Sequence, residues 1–321
     1  MRITVLAGGY GGATFLAGLR TAVGDGGDLA AGVNTADDIR IHGLAVSPDL
    51  DTVMYTLGGG LDRERGWGRA DEAFRANEEL AAHGLPTWFG LGDRDLATHL
   101  IRTQMLDAGY RLTDVTTALA VRWEPGVRIL PMTDERIETH VVVTDEAGRR
   151  AIHFQEWWVR HQAALPATEF VQVGVETSSP TPEVLEALSA ADLVIVAPSN
   201  PVVSIGPILS VPGMAEAIAA APGPVVGVSP IIGGRAVRGM AEQCLAAIGV
   251  PATAADVALH YGSRATGGLL DGWLVAPQDA DAVPVLESAG IRARAVPLLM
   301  TDEDTAAALA EEALQLGDTC R

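Results

Sequence analysis

Short apolar runs, each followed by an alanine-rich amphipathic stretch, recur along the second half of this chain. Strands are expected at Phe170–Val175, Leu193–Ala197, Val225–Val228, Leu269–Val275 and Ala293–Pro297, interleaved with helices. A continuous apolar run suits a strand covered on both faces, and an intervening helix makes successive strands parallel. The pattern points to an α/β fold, a doubly wound and mostly parallel Rossmann-like sheet. The opening follows the same plan. Arg2–Ala7 reads as a buried strand, Gly8-Gly9-Tyr10-Gly11-Gly12 as a tight turn, Ala13–Ala22 as a helix and Leu29–Val33 as the next strand.

Two segments depart from the alternation. Between Asp62 and Trp123 the periodicity is helical, with helices expected at Ala70–His83, Arg94–Ala108 and Thr113–Trp123. This predicts an inserted helical lobe over residues 62–123, leaving 1–61 and 124–321 as the nucleotide-binding core. Thr139–Thr144 and Arg150–Val159 flank Asp145-Glu146-Ala147-Gly148 and predict a β-hairpin.

Composition removes several classes of function. The 321 residues, 48% of them hydrophobic, allow one large core. No apolar run approaches the roughly 20 residues that span a bilayer, and the stretch from Met1 to Ala7 is too short for a signal-peptide apolar region, so a cytoplasmic location is expected. Twenty-two basic against 41 acidic side chains give a net charge of −19, which disfavours nucleic acid and anionic membranes as partners. Every basic residue is arginine. Schiff-base chemistry, a lysine base and a Walker A lysine are thereby excluded, and phosphate has to be held by backbone N–H groups, arginine, hydroxyls or a metal. Two distant cysteines, Cys244 and Cys320, make neither a disulfide framework nor a thiolate metal cluster.

In a doubly wound sheet ligands bind beyond the strand ends, and four loops there are chemically unusual. The glycine turn, with Gly9, Gly11 and Gly12, permits close backbone approach and leaves a helix N-terminus free for an anion, although its spacing is not a clean dinucleotide fingerprint. Asn34-Thr35-Ala36-Asp37-Asp38 and Asp49-Leu50-Asp51-Thr52 place four carboxylates at neighbouring element ends. Such a cluster calls for a compensating cation, and oxygen ligands suit Mg²⁺; helix capping by Asp49 and a solvated Asp37–Asp38 pair are the plainer alternative. The loop Pro198-Ser199-Asn200-Pro201, running on to Ser204, offers compact hydrogen-bonding groups for a nucleotide. Ser229-Pro230-Ile231-Ile232-Gly233-Gly234-Arg235 repeats the design and adds a phosphate-pairing arginine. Asp93 and Arg94 start a helix carrying Thr98, His99 and Arg102, which would face the sheet if the lobe folds over it; capping by Asp93 is equally consistent with the sequence. His153, Trp157 and Trp158 read as packing residues. No G-x-S-x-G, H-E-x-x-H or separated His/Cys ligand set is present, so hydrolase-triad and zinc-enzyme readings lack support.

Taken in order, VLAGGYGGATFLAGL, NTADDIRIHGL, SPDLDTVMYTLGG, LGDRDLATHLIRTQML, HFQEWWVR, LVIVAPSNPVVSIGPIL, VSPIIGG and VPLLMTD resemble the 2-phospho-L-lactate transferase family over nearly the whole chain. The likeness is to its actinobacterial branch, described as phosphoenolpyruvate transferases. The resemblance implies transfer of a phosphoenolpyruvyl or phospholactyl unit from a guanosine-diphosphate-linked donor to the ribityl hydroxyl of the deazaflavin Fo in coenzyme F-420 biosynthesis, with GMP released. It also implies Mg²⁺ and a homodimer. Asp51 and Gly90 fall at Fo-contacting positions, with Asp93 and Arg94 beside them. Where archaeal relatives tend to carry lysine, Gly90 offers backbone only. The loops holding Ser199, Asn200 and Ser204, and Ser229, Gly233 and Arg235, resemble the guanine-nucleotide site. Asp37 and Asp51 are then expected to hold the metal, and Asp51 to orient or deprotonate the hydroxyl. A related regulator group that binds UDP-sugars shares the glycine turn and PSN-type loop, but PDLDT, LGDRD and HFQEWW favour the enzyme. An NAD-dependent oxidoreductase would require a cleaner fingerprint and a hydride-transfer acid.

Overall fold

The computed structural model describes residues 1–145 and 148–321; two residues of the expected hairpin turn, Glu146 and Ala147, lie outside the described residues. Seven strands form the central sheet in the order Arg292–Ala295, Gly272–Val275, Val225–Val228, Leu193–Val196, Arg2–Ala7, Asp28–Val33, Arg128–Pro131. Each neighbouring pair is parallel. The order reverses between Arg2–Ala7 and Leu193–Val196, which is the topological switch point where such sheets open a crevice.

Strand alternation distributes side chains to both faces. Ile3, Val5 and Ile195 pack with Phe15 and Leu16 of α1 (Gly9–Val23), Leu50 and Val53 of α2 (Pro48–Leu57), and Leu309 of the C-terminal helix Glu303–Thr319. Leu6, Val194 and Val196 pack on the other face with Leu188, Ile208 and Ile218. Each fully buried aliphatic side chain of this kind contributes about 1.5–3 kcal/mol, so the two layers fix the sheet between them.

Several expectations are corrected. The glycine segment is not a turn before the helix, because α1 begins at Gly9 and contains Gly11 and Gly12. These glycines serve packing: a Cβ at Gly11 would stand 2.8 Å from the Pro198 carbonyl oxygen, and one at Gly12 would stand 2.6 Å from Ser199 Oγ. The segment expected as a strand at Phe170–Val175 spans Ala167–Val173 and pairs antiparallel with Glu138–Asp145, outside the main sheet. Its mixed apolar and polar sequence is that of a one-sided strand, which is why it leaves the buried sheet. Gly148–His153 completes that three-stranded sheet, and Glu156–Arg160 is a helical turn rather than a continuation of the hairpin strand.

Two features were not expected. Arg128–Pro131 forms the edge strand, short and closed by proline. Ile39–Ile41 and Leu44–Val46 form a small hairpin whose turn residues His42 and Gly43 both have positive φ, 51° and 82°. In the segment 62–123, α3 (Arg75–Ala82) has no buried residue, whereas α4 (Asp95–Asp107) and α5 (Leu112–Ala120) pack inward. Leu112, Val115 and Leu119 of α5 join the same core layer as α2, so this helix belongs to the body of the domain. Among the described residues no helix is long and apolar enough to cross a membrane.

Candidate functional site

The four aspartates of the two acidic loops converge beside the switch point. Asn34, fully buried at the end of Asp28–Val33, organises them. Its side-chain oxygen accepts from Ala36 N at 3.0 Å, while its amide donates to Asp49 Oδ2 at 2.9 Å and to Val203 O at 3.3 Å. One asparagine thus ties the Asp37 loop, the start of α2 and the loop after Leu193–Val196 together. Ser47 Oγ donates to Asp38 Oδ2 at 2.6 Å, and His153 Nε2 lies 3.1 Å from the Asp38 carbonyl oxygen. Because His153 Nδ1 accepts from Gln155 N at 3.1 Å, its proton is on Nε2 and points at that carbonyl. His153 therefore anchors the antiparallel sheet to the acidic loop, while Trp157 is a fully buried packing residue as expected from sequence.

Glycine at position 8 is required here. A Cβ would stand 2.6 Å from Asp49 Oδ2 and 2.7 Å from Ser204 Cβ, so the first strand can meet both loops only without a side chain. Ser199 accepts from Gly8 N at 3.1 Å and donates to Gly8 O at 2.8 Å, locking the two sides of the crevice together. Asn200 Oδ1 accepts from Val202 N and Val203 N at 2.9 and 3.3 Å, capping the turn Pro201–Ile205. Ser204 is buried near Gly8. Ser229 Oγ closes its own turn by donating to Ile231 O, Gly233 N donates to Asp279, and Arg235 is exposed on a small hairpin.

Electrostatics mark the cluster. Burial drives the Asp37 carboxyl well above the usual carboxylate range, and repulsion from Asp49 adds to it. Burial likewise pushes Asp38 up to about 8 and Asp49 up to about 6, and it raises Asp51 against the opposing charge of Arg102. Asp37 Oδ1, Asp38 Oδ1 and Asp51 Oδ2 are buried with no hydrogen-bond partner. Orphaned anionic oxygens of this kind fit a hard cation that takes one or two carboxylates and fills its shell with water and phosphate oxygens. No group of three or more His, Cys, Asp or Glu placed to hold a metal ion occurs among the described residues. Repulsion links Asp37 to Asp49 and Asp38, and Asp38 to Asp51 and Asp49, so the four carboxylates expected at neighbouring element ends do meet.

On the lobe side, Asp51 is held by Arg102, whose Nη2 donates to Asp51 Oδ1. His99, Asp95 and Tyr55 continue inward from that pair. Sequence reasoning set His99 and Arg102 at the lobe helix without linking them to Asp51; the i, i+4, i+7 spacing of Asp95, His99 and Arg102 carried that signal. Asp93 caps a different helix from the one it precedes, with Oδ1 accepting from Ala76 N of α3 at 3.0 Å. Arg94 is exposed and donates to Ala70 O at 3.3 Å, and Gly90 lies against the Trp67 and Phe74 rings. A cavity of about 220 Å³ reaches the cluster at Thr35, Asp38 and Ser47, walled by Val46, Leu106 and Leu112.

Comparison with known proteins places this arrangement in a family. The family described as 2-phospho-L-lactate transferase CofD matches residues 3–302. The chain is 61% identical over 322 residues to a phosphoenolpyruvate transferase of Streptomyces griseus, covering 100% of both chains. It is 58% identical to the protein of that name from Thermobifida fusca, over 98% of each chain. With the one from Mycobacterium avium it shares 53% identity, again over 98% of each. A crystal structure of a Bacillus halodurans protein superposes with a TM-score of 0.63 at 19% identity, covering 98% of this chain and 99% of that one, a likeness of fold.

Proposed function

Because the chain belongs to the 2-phospho-L-lactate transferase CofD family, we propose that it transfers a phosphoenolpyruvyl unit from a guanosine-diphosphate-linked donor to the ribityl hydroxyl of Fo in coenzyme F-420 biosynthesis. The product is dehydro coenzyme F-420-0, and GMP leaves. In this reading the enzyme acts in the cytoplasm as a homodimer. The observation that carries it is the set of buried, unpartnered oxygens of Asp37, Asp38 and Asp51 beside the sheet's switch point. Acidic oxygens without donors suit a site that handles a diphosphate together with a cation.

The chemistry follows from the residues. The ribityl oxygen attacks the phosphorus carrying the enolpyruvyl group; the new O–P bond forms as the bridging P–O bond breaks and its electron pair leaves with GMP. Asp51 Oδ2 accepts the hydroxyl proton, and Asp37 with Asp51 would hold Mg²⁺. Bound there, the ion would offset the charge of the diphosphate during in-line displacement. The nucleotide would lie along Gly9, Gly11 and Gly12 and the loops of Ser199, Asn200, Ser204, Ser229, Gly233 and Arg235. Fo would lie under the lobe near Asp51, Gly90, Asp93 and Arg94.

Purified protein supplied with Fo, Mg²⁺ and each synthetic donor in parallel tests the proposal by product mass. Faster turnover of the enolpyruvyl donor than of the lactyl donor is expected. Faster lactyl transfer would reassign the donor, and UDP-sugar binding without any transfer would make the chain a regulator instead.

A further inference from the structure

Helix α4 is built with its polar face inward. Thr98, His99 and Arg102 are buried, whereas Leu100 and Ile101 are 48% and 45% exposed. Inverting a helix in this way forfeits apolar burial and takes a guanidinium out of water, which costs several kcal/mol unless its partners are well placed. The partners form one directed chain. Arginine can only donate, so Arg102 Nη1, 3.3 Å from His99 Nδ1, fixes that nitrogen as the acceptor. The ring proton is then on Nε2, 3.6 Å from Asp95 Oδ2. Asp95 also accepts from the Tyr55 hydroxyl, which lies 2.8 Å from Thr98 Oγ1. At the other end Arg102 donates to Asp51 Oδ1 and, at 3.4 Å, to Ala45 O.

Two atoms of this network are buried without a hydrogen-bond partner, Arg102 Nε and Asp51 Oδ2. His99 Nδ1, already an acceptor from Arg102, stands 3.8 Å from Asp51 Oδ2. A bidentate arginine would engage both carboxylate oxygens, whereas Arg102 engages Oδ1 and leaves Oδ2 free.

We propose that Arg102 is a positioning residue for the transfer, holding Asp51 by Oδ1 so that Oδ2 is the oxygen left for the acceptor hydroxyl and the metal, and that His99, backed by Asp95 and Tyr55, sets the orientation of Arg102. This rests on the reading of Asp51 as the group that meets the acceptor. Arg102 and His99 act on substrate only through Asp51.

Arg102→Lys keeps the charge and loses the fork; His99→Phe keeps a ring and loses both nitrogens; His99→Gln restores an acceptor and a donor. Misplacing a reacting group by about 1 Å costs ~10²-fold in rate, so kcat should fall by that order in Arg102→Lys and His99→Phe and recover in His99→Gln, with KM for the guanylylated donor unchanged. In an Asp51→Asn background Arg102→Lys should have no further effect on kcat, because the group it positions has lost its function. Crystal structures of the two His99 variants give a readout independent of turnover: Asp51 should leave its rotamer in His99→Phe and keep it in His99→Gln. Should the wild type use neither donor with Fo, the proposed function falls while the crystallographic comparison still decides the positioning role. An unmoved Asp51 in His99→Phe, or losses that multiply with Asp51→Asn, would overturn the proposal.

Discussion

Asp38 shows how a single carboxyl links the site to folding. Burial raises it to about 8, and Asp49 to about 6, while in the unfolded chain an aspartate titrates near 3.9. The folded chain therefore binds these protons more tightly than the unfolded one. Their contribution to stability is complete below about pH 4 and is lost as pH rises toward 8. The unfolding midpoint of the metal-free protein should accordingly fall between pH 5 and pH 8, and Asp38→Asn should flatten that slope; thermal scans across pH in chelator check it. Asp51 has the opposite relation to function. Asp51→Asn preserves shape and removes the base, so turnover should drop ~10²–10⁴-fold in steady-state assays. Were Asp51 only a structural partner of Arg102, turnover would stay near normal in a folded Asp51→Asn protein.

At the scale of elements, the loop after Leu193–Val196 shows what a motif can and cannot disclose. Its serine and asparagine were legible as functional candidates because they follow an apolar strand. Their partners were not, because Ser199 bonds to Gly8, which is 191 positions away, and local sequence carries no trace of that. Asn200 has divided uses: Oδ1 caps the turn while the amide lies 3.6 Å from Cys244 Sγ. Asn200→Ala should cost about 0.5–2 kcal/mol of stability through the lost cap, whereas Asn200→Asp should retain it. Urea unfolding of both variants, alongside GDP calorimetry, separates cap from ligand: a nucleotide contact through the amide predicts that Asp weakens GDP binding without destabilising the protein. Helix α4 was legible as a helix, with Thr98, His99 and Arg102 expected on its inward side, but their link to Asp51 was not. Helical spacing puts the three on one side but does not say what that side meets, here a charged network.

For the whole molecule, the parallel sheet followed from its buried strand runs, and the crevice from the loops that follow them. The edge strand Arg128–Pro131 escaped through its brevity, and Ala167–Val173, which adds a third strand to the expected hairpin, through reading as one more member of the alternation. The order of the strands has a further consequence during synthesis. Arg2–Ala7 finds Asp28–Val33 almost at once, but its other neighbour begins at Leu193, opposite Ile3. At translation rates of ~5–20 residues per second, that flank waits on the order of 10–40 s for its partner. Throughout that interval the nascent chain carries an open, apolar strand edge at what becomes the middle of the sheet, a template on which another chain could pair.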